Sequence, residues 1–198
     1  MTEVEPGRAA AVAVPTIILL LVGLFGISYA VSTLFGLPTS LDIPFAVQAV
    51  GGALAIAGFA VAGWTFRYRR PSEMMVSSYI TFVKLLGRRP IAERLGRTEP
   101  LVFVGLQRYT RNPLYLGVIV MTFGWALAGN YTFVLVAAVI LLLWFRVVLI
   151  PFEERELSAL FGEQYEKYKS KVPMLIPFTK RKKHTAQSES NPMIDSPP

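Results

Sequence analysis

The sequence predicts an all-α, polytopic integral membrane protein with about four transmembrane helices and a C-terminal amphipathic cytoplasmic helix. Three observations predict it. The 198 residues are 53% hydrophobic and only 17% charged, with a mean hydropathy of +0.47, whereas soluble domains carry roughly 25% charge. Apolar stretches at 12–35, 43–66 and 113–150 are long enough to cross a bilayer, the last of them twice. The basic residues gather beside these stretches, which is how membrane topology is written. The net charge of +7 therefore points to the membrane surface and to no nucleic-acid partner. The absence of cysteine excludes disulfides, thiolate metal sites and a cysteine nucleophile.

The first span, 12–35, carries no charge and ends at Gly36-Leu37-Pro38. It is longer than the apolar core of a signal peptide, and acidic Glu3 and Glu5 precede it. The second, 43–66, is rich in small residues (Gly51, Gly52, Gly58, Gly63), which let helix backbones approach closely. It stops at Arg67, Arg69, Arg70 and Pro71. Residues 72–112 form a basic connector containing Arg88, Arg89, Arg94 and Arg97. Within it Met74, Met75, Tyr79, Phe82, Val83 and Leu86 recur at helical spacing. Two readings stand there: an amphipathic helix on the membrane surface, or a solvated connector with one short helix. Residues 113–150 then hold two spans turning at Gly129-Asn130. The first arm rises only about 24 Å, short for a hydrocarbon core of about 30 Å. From Glu153 to Ser170 the pattern is an amphipathic helix with Leu157, Phe161, Tyr165 and Tyr168 on one stripe. A basic run at 180–183 leads into a polar tail unable to bury a core.

The expected organisation is therefore 1–71 for two N-terminal spans, 72–112 for the connector, 113–178 for a helical hairpin with its amphipathic helix, and 179–198 for a disordered tail. The arginines between spans two and three mark the cytoplasmic side, while the loop from Gly36 to Asp42 has no basic residue and faces out. A cell-membrane, multi-pass protein with both termini in the cytoplasm follows.

Two polar clusters meet at that cytoplasmic boundary. Asn112-Pro113 is helix-start chemistry, Asn as a cap and Pro at the first helical position. Such a start presents open N–H donors to an anion, and Arg108 and Arg111 add charge. Tyr115 and Gly117 supply an aromatic face and a close backbone approach suited to a flat ring. The plainer reading is a cap with topology anchors. Glu153 and Glu154 lie near the apolar stripe, where carboxylates need partners, and a ribose diol or a cation suits them. The plainer reading there is complementation of the helix dipole, and Glu156 and Glu163 fit that or a solvated face better. Arg146, two turns before Glu153, either shares its face or snorkels to the interface. The sole histidine, His184, falls in the tail. No metal-ligand spacing, P-loop or dinucleotide glycine motif is present.

Arg111-Asn112-Pro113-Leu114-Tyr115-Leu116-Gly117, Glu153-Glu154, and Phe161-Gly162-Glu163-Gln164-Tyr165-Glu166-Lys167-Tyr168 with Val172-Pro173 resemble, in order and spacing, the isoprenylcysteine carboxyl methyltransferase family. The wider group includes the phospholipid N-methyltransferases. The resemblance covers about residues 100–178. It implies a membrane-embedded methyltransferase using S-adenosylmethionine, bound in the cytoplasmic part of the last hairpin, with a lipid or other lipophilic acceptor entering between helices. By position, Arg111, Asn112, Pro113, Tyr115, Gly117, Glu153 and Glu154 would contact the cofactor. Glu154 would be the base for an amine acceptor, and Tyr115 an aromatic face for the sulfonium. The family commonly has His at Asn112, and its eukaryotic members have Arg at Leu149, a place Arg146 is assigned to fill. The departures bear on the acceptor more than on the cofactor. Two other readings stay open: a membrane reductase of sterol-reductase-like architecture using NADPH, and a non-catalytic membrane scaffold.

Overall fold

A computed structural model describes residues 6–67, 71–87 and 105–177, and the described residues are helical, joined by turns. The first helix, α1 (Pro6–Leu34), starts well before the apolar run. The others are α2 (Phe45–Thr65), α3 (Pro71–Leu85), α4 (Pro113–Ala128), α5 (Thr132–Trp144), α6 (Ile150–Phe161) and α7 (Glu163–Lys171). A 3₁₀ turn, Gly105–Arg108, leads into α4, and a π-helical turn, Phe145–Leu149, joins α5 to α6. Three helical stretches are long and apolar enough to span a membrane: Gly7–Leu34, Phe45–Thr65 and the composite Thr132–Phe161. With the shorter apolar α4, they bear out the polytopic all-α class. Expectations resting on Glu3, Glu5, Arg69, Arg70, Arg88, Arg89, Arg94, Arg97, His184 and the tail lie outside the described residues.

Small residues decide the packing of α2 on α4. The two run antiparallel, with Gly51, Ala55 and Gly58 facing Gly117, Met121 and Gly124. A Cβ at Gly51 would sit 2.6 Å from the backbone nitrogen of Ala128, and one at Gly117 2.6 Å from that of Ala62. Contact this close is how helices gain van der Waals energy where lipid removes the hydrophobic drive between them. By contrast, a Cβ at Gly52 or Gly63 would meet nothing within 4 Å.

Helix α1 packs on α3 and α5, with Phe133 meeting Phe25 and Tyr29 edge-on at 6.5 and 6.0 Å. Its other face, including Leu19 and Val22, is exposed, as expected toward lipid. Ser28 and Ser32 lie buried in the helix and bond back to the carbonyls of Leu24 and Ser28. The α1–α2 loop seats on the α4–α5 turn: Leu41 N–H donates to the Asn130 carbonyl and Thr132 N–H to the Thr39 carbonyl, both at 3.2 Å. Asn130 takes φ +58 to make that turn, a conformation Asn tolerates. Both turns therefore lie at the end of the bundle opposite the polar clusters.

Two sequence expectations change. The amphipathic helix from Glu153 to Ser170 is two helices, because Gly162 at φ +52 ends α6. The helix also runs on through Pro151. Proline has no N–H and crowds the carbonyl one turn back, and the π turn opens the helix just there, so α5 continues into α6. In the connector, α3 is a helix whose Ile80, Thr81 and Lys84 are buried, so that face packs into the bundle rather than onto a membrane surface.

Candidate functional site

The start of α4, the start of α6 and the segment around α7 converge at one corner. Tyr115, in the first turn of α4, donates to Glu153 Oε1 at 2.7 Å. Its ring tilts against buried Phe145 of the π turn at 4.7 Å between centroids. Arg111 lies just before α4 and Glu154 on α6, and a guanidinium nitrogen approaches Glu154 Oε1 at 2.8 Å. Both side chains are buried, 5% and 7% exposed. Lys169 of α7 stands 4.0 Å from the second Glu154 oxygen. The predicted meeting of 111–115 with 153–154 is thus realised across about forty residues of intervening hairpin.

The C-terminal segment closes this corner from outside. Arg111 donates through its N–H to the Pro173 carbonyl at 3.0 Å and through its guanidinium to the Lys169 carbonyl at 2.9 Å. Tyr168 donates its hydroxyl to the Gln107 carbonyl at 2.7 Å. The Asn112 amide donates to the Met174 carbonyl at 3.0 Å. This corrects the expected cap: the Asn112 side chain makes no bond to the α4 N-terminus and instead tethers the segment after α7. Pro113 does occupy the first helical position.

Three further expectations resolve differently. The space beside Gly117 is filled by α2, so its missing side chain serves helix packing. Arg146 is exposed on the π turn and makes no ion pair with Glu153 among the described residues. Its snorkelling reading is the one the geometry fits. Glu156 is neither dipole complement nor solvated: it is fully buried and accepts from Lys84 of α3 at 2.5 Å. Glu163 does sit in solvent, paired with Lys167. Sequence reasoning missed Lys84 and Lys169. The signal for Lys84 was a charge on the face of α3 that carries Ile80 and Thr81.

Two buried atoms in this corner lack an aligned hydrogen bond. Arg111 Nε and Glu154 Oε1 make no hydrogen bond among the described residues, and Glu154 Oε1 is held instead by the 2.8 Å ion contact with the Arg111 guanidinium.

Burial pushes the Tyr165 phenol well above its ordinary range, helped by the Glu154 charge and opposed by Arg111. The Tyr168 phenol is pushed up to about 12, mainly by burial, with Arg111 opposing and Glu154 adding. Both stay neutral in the folded chain while the unfolded chain ionises near pH 10. Their contribution is therefore complete below pH 10 and lost as pH rises from there toward 12. The thermal midpoint should fall over that window in wild type and fall less in Tyr168→Phe, as read by unfolding scans in detergent.

Comparison with known proteins places this architecture. A profile of the phospholipid methyltransferase family matches residues 47–164, more than half of the chain. Methanethiol S-methyltransferase 1 of Bradyrhizobium diazoefficiens is 39% identical over 138 residues, covering 64% of this chain and 42% of that protein. Methanethiol S-methyltransferase of Crocosphaera subtropica is 34% identical over 140 residues, covering 67% and 50%. Protein-S-isoprenylcysteine O-methyltransferase of Schizosaccharomyces pombe is 34% identical over 88 residues, covering 44% and 37%. The chain spans half or less of the length of these relatives. No solved structure matches. The profile begins inside α2, so the α2–α4 contact lies within the matched region along with α4, α5 and α6. With its motifs meeting in space and the profile spanning the helices that carry them, the chain belongs to the phospholipid methyltransferase family.

Proposed function

We propose that the chain is an S-adenosylmethionine-dependent methyltransferase of the membrane, with its donor site at the Arg111–Glu154 corner on the cytoplasmic face. The observation that carries this reading is the convergence of the buried Arg111–Glu154 ion pair with the Tyr115–Glu153 hydrogen bond inside the region that the family profile matches. The donor offers matching chemistry: a carboxylate for the arginine and ribose hydroxyls for the glutamate. Arg111, Glu153, Glu154 and Tyr115 would hold it, with Asn112 and Pro113 shaping the wall behind. S-adenosylmethionine, when bound, supplies a methyl group already activated on a sulfonium. The protein's part is to position the acceptor and keep water out. Tyr115 and Phe145 present aromatic faces beside that position.

Glu154 faces cations on both sides, which suits it to binding and orienting. Glu153, half-buried and accepting from the Tyr115 hydroxyl, is the candidate proton acceptor for an amine or thiol. The acceptor is lipophilic and arrives along the apolar faces of α4 and α5. Among lipophilic acceptors, a thiol is the second reading. It is favoured because the relatives named for methanethiol share more of this chain than the one named for isoprenylcysteine. With basic loops inside, both termini are cytoplasmic.

The test is transfer of labelled methyl from S-adenosylmethionine to a membrane lipid extract and, separately, to a short-chain thiol. Label in the lipid fraction supports the first reading and label in a thioether the second. Label in neither, with intact folded protein, overturns both.

A further inference from the structure

The Arg111–Glu154 corner is closed: the two side chains are 5% and 7% exposed. A polar donor arriving from water reaches it only if a wall moves. Two of its walls are fixed. Helix α4 is locked to α2 by glycine contacts with no room for a methyl group. Helix α6 runs on from α5 through the π turn, with Ile150 fully buried at its start. The third wall is α7 and the segment after it. Tyr165 faces inward, 2% exposed, while Glu163 and Lys167 stand in solvent, so α7 lies between the corner and water.

This wall is a strap pinned at its ends. Gly162, at φ +52, joins it to α6, and Leu175 is buried in the apolar cluster with Ile119, Phe145 and Ile150. A Cβ on Gly162 would meet nothing within 4 Å, so that joint is uncrowded. Between the pins, hydrogen bonds hold the strap to one edge, residues 107–112. The Tyr168 hydroxyl donates to the Gln107 carbonyl at 2.7 Å. Arg111 donates to the Lys169 and Pro173 carbonyls, at 2.9 and 3.0 Å. The Asn112 amide and the Thr110 hydroxyl donate to the Met174 carbonyl, at 3.0 and 3.3 Å. Of these bonds, the one from Tyr168 is given by the strap and the others by the edge. Such bonds are exchanged for bonds to water at modest net cost, so a segment held by them opens more readily than a packed helix pair.

We propose that α7 with residues 172–174 is a gate for the methyl donor, latched shut by the Tyr168 hydroxyl on the Gln107 carbonyl. The proposal rests on the reading of the Arg111–Glu154 corner as the donor site. The gate bows outward between Gly162 and Leu175, the donor enters or the spent donor leaves, and the bonds to 107–112 re-form over the corner. Closure of this kind keeps water away from an activated methyl group. The latch is made in the empty and the filled closed states alike. It therefore slows traffic in both directions and leaves the affinity alone.

The experiment is exchange of labelled S-adenosylmethionine on the full chain in detergent, with association and dissociation rates read separately. Tyr168→Phe keeps the ring contact with Tyr165. It should raise both rates about fivefold, as one lost neutral hydrogen bond would. The dissociation constant should stay within about twofold of wild type. Unchanged rates overturn the proposal. So does faster dissociation with unchanged association, which is the mark of a residue that touches the donor. A second measurement holds the gate shut, and it stands if Tyr168→Phe does not fold. The chain has no cysteine, so Gln107→Cys with Lys171→Cys places the only two thiols across the latch, within reach of a short cleavable bridging reagent. Bridged after loading, this variant should hold its donor at least about tenfold longer than after the bridge is cleaved. Exchange as fast with the bridge as without it overturns the proposal. Glu154→Gln separates the two readings. If it binds as wild type, the donor-site reading fails and the gate with it. If it weakens binding while Tyr168→Phe and the bridge leave exchange unchanged, only the gate fails.

Discussion

Glu154→Gln is expected to weaken S-adenosylmethionine binding at least tenfold, about 1.4 kcal/mol, and to destabilise the folded chain as well. Glutamine keeps the shape but removes the charge that Arg111 and Lys169 face. Arg111 is then a buried cation with its Nε already open. Breaking a buried pair from one side typically costs about 3–5 kcal/mol, because the remaining charge is uncompensated. The two losses separate by a second variant. Arg111→Gln together with Glu154→Gln leaves no stranded charge, so unfolding in detergent should recover while binding stays lost. Recovery of both would mean that the pair serves stability alone.

Gly124→Leu is the second large effect. A Cβ at Gly124 runs into the backbone of Ala55, and helix backbone has no rotamer to give. The α2–α4 contact must open, at about 3 kcal/mol or more for overpacking. Because the partner arm carries Tyr115 at its start, loss of the contact also unseats the donor corner. Gly63→Leu is the comparison: it faces open space and should change stability by less than about 0.5 kcal/mol. Denaturant titration of the two variants in mixed micelles measures the difference. Equal stabilities would show that α2 and α4 do not depend on this contact.

The parts of the fold legible in the sequence are those written locally. Uncharged runs marked the spans, and Gly129-Asn130 marked the hairpin turn because one residue there must take positive φ. The hairpin then brought Arg111 and Tyr115 to Glu153 and Glu154, since two arms of similar length return the chain to the same side. What was not legible is pairing at long range. Asn112 looks like a cap to any local reading, yet its partner is the Met174 carbonyl, 62 residues away. Glu156 looks like a charge on a solvated face, yet Lys84, 72 residues earlier, makes it a buried one. Pro151 looks like a helix break, but a break can be avoided by widening the preceding turn, and periodicity does not register a π turn. Gly117 had two equally physical uses, ligand approach and helix approach, and only the position of α2 decides between them.

The most direct test of the central claim is photochemical cross-linking of labelled S-adenosylmethionine to the folded full chain, followed by mapping of the labelled peptides. The Arg111–Glu154 corner predicts saturable label, displaced by unlabelled cofactor, on peptides covering 108–117 and 150–175. Displaceable label confined to α1, α2 or α3, or label displaced by a nicotinamide cofactor and not by S-adenosylmethionine, would contradict it.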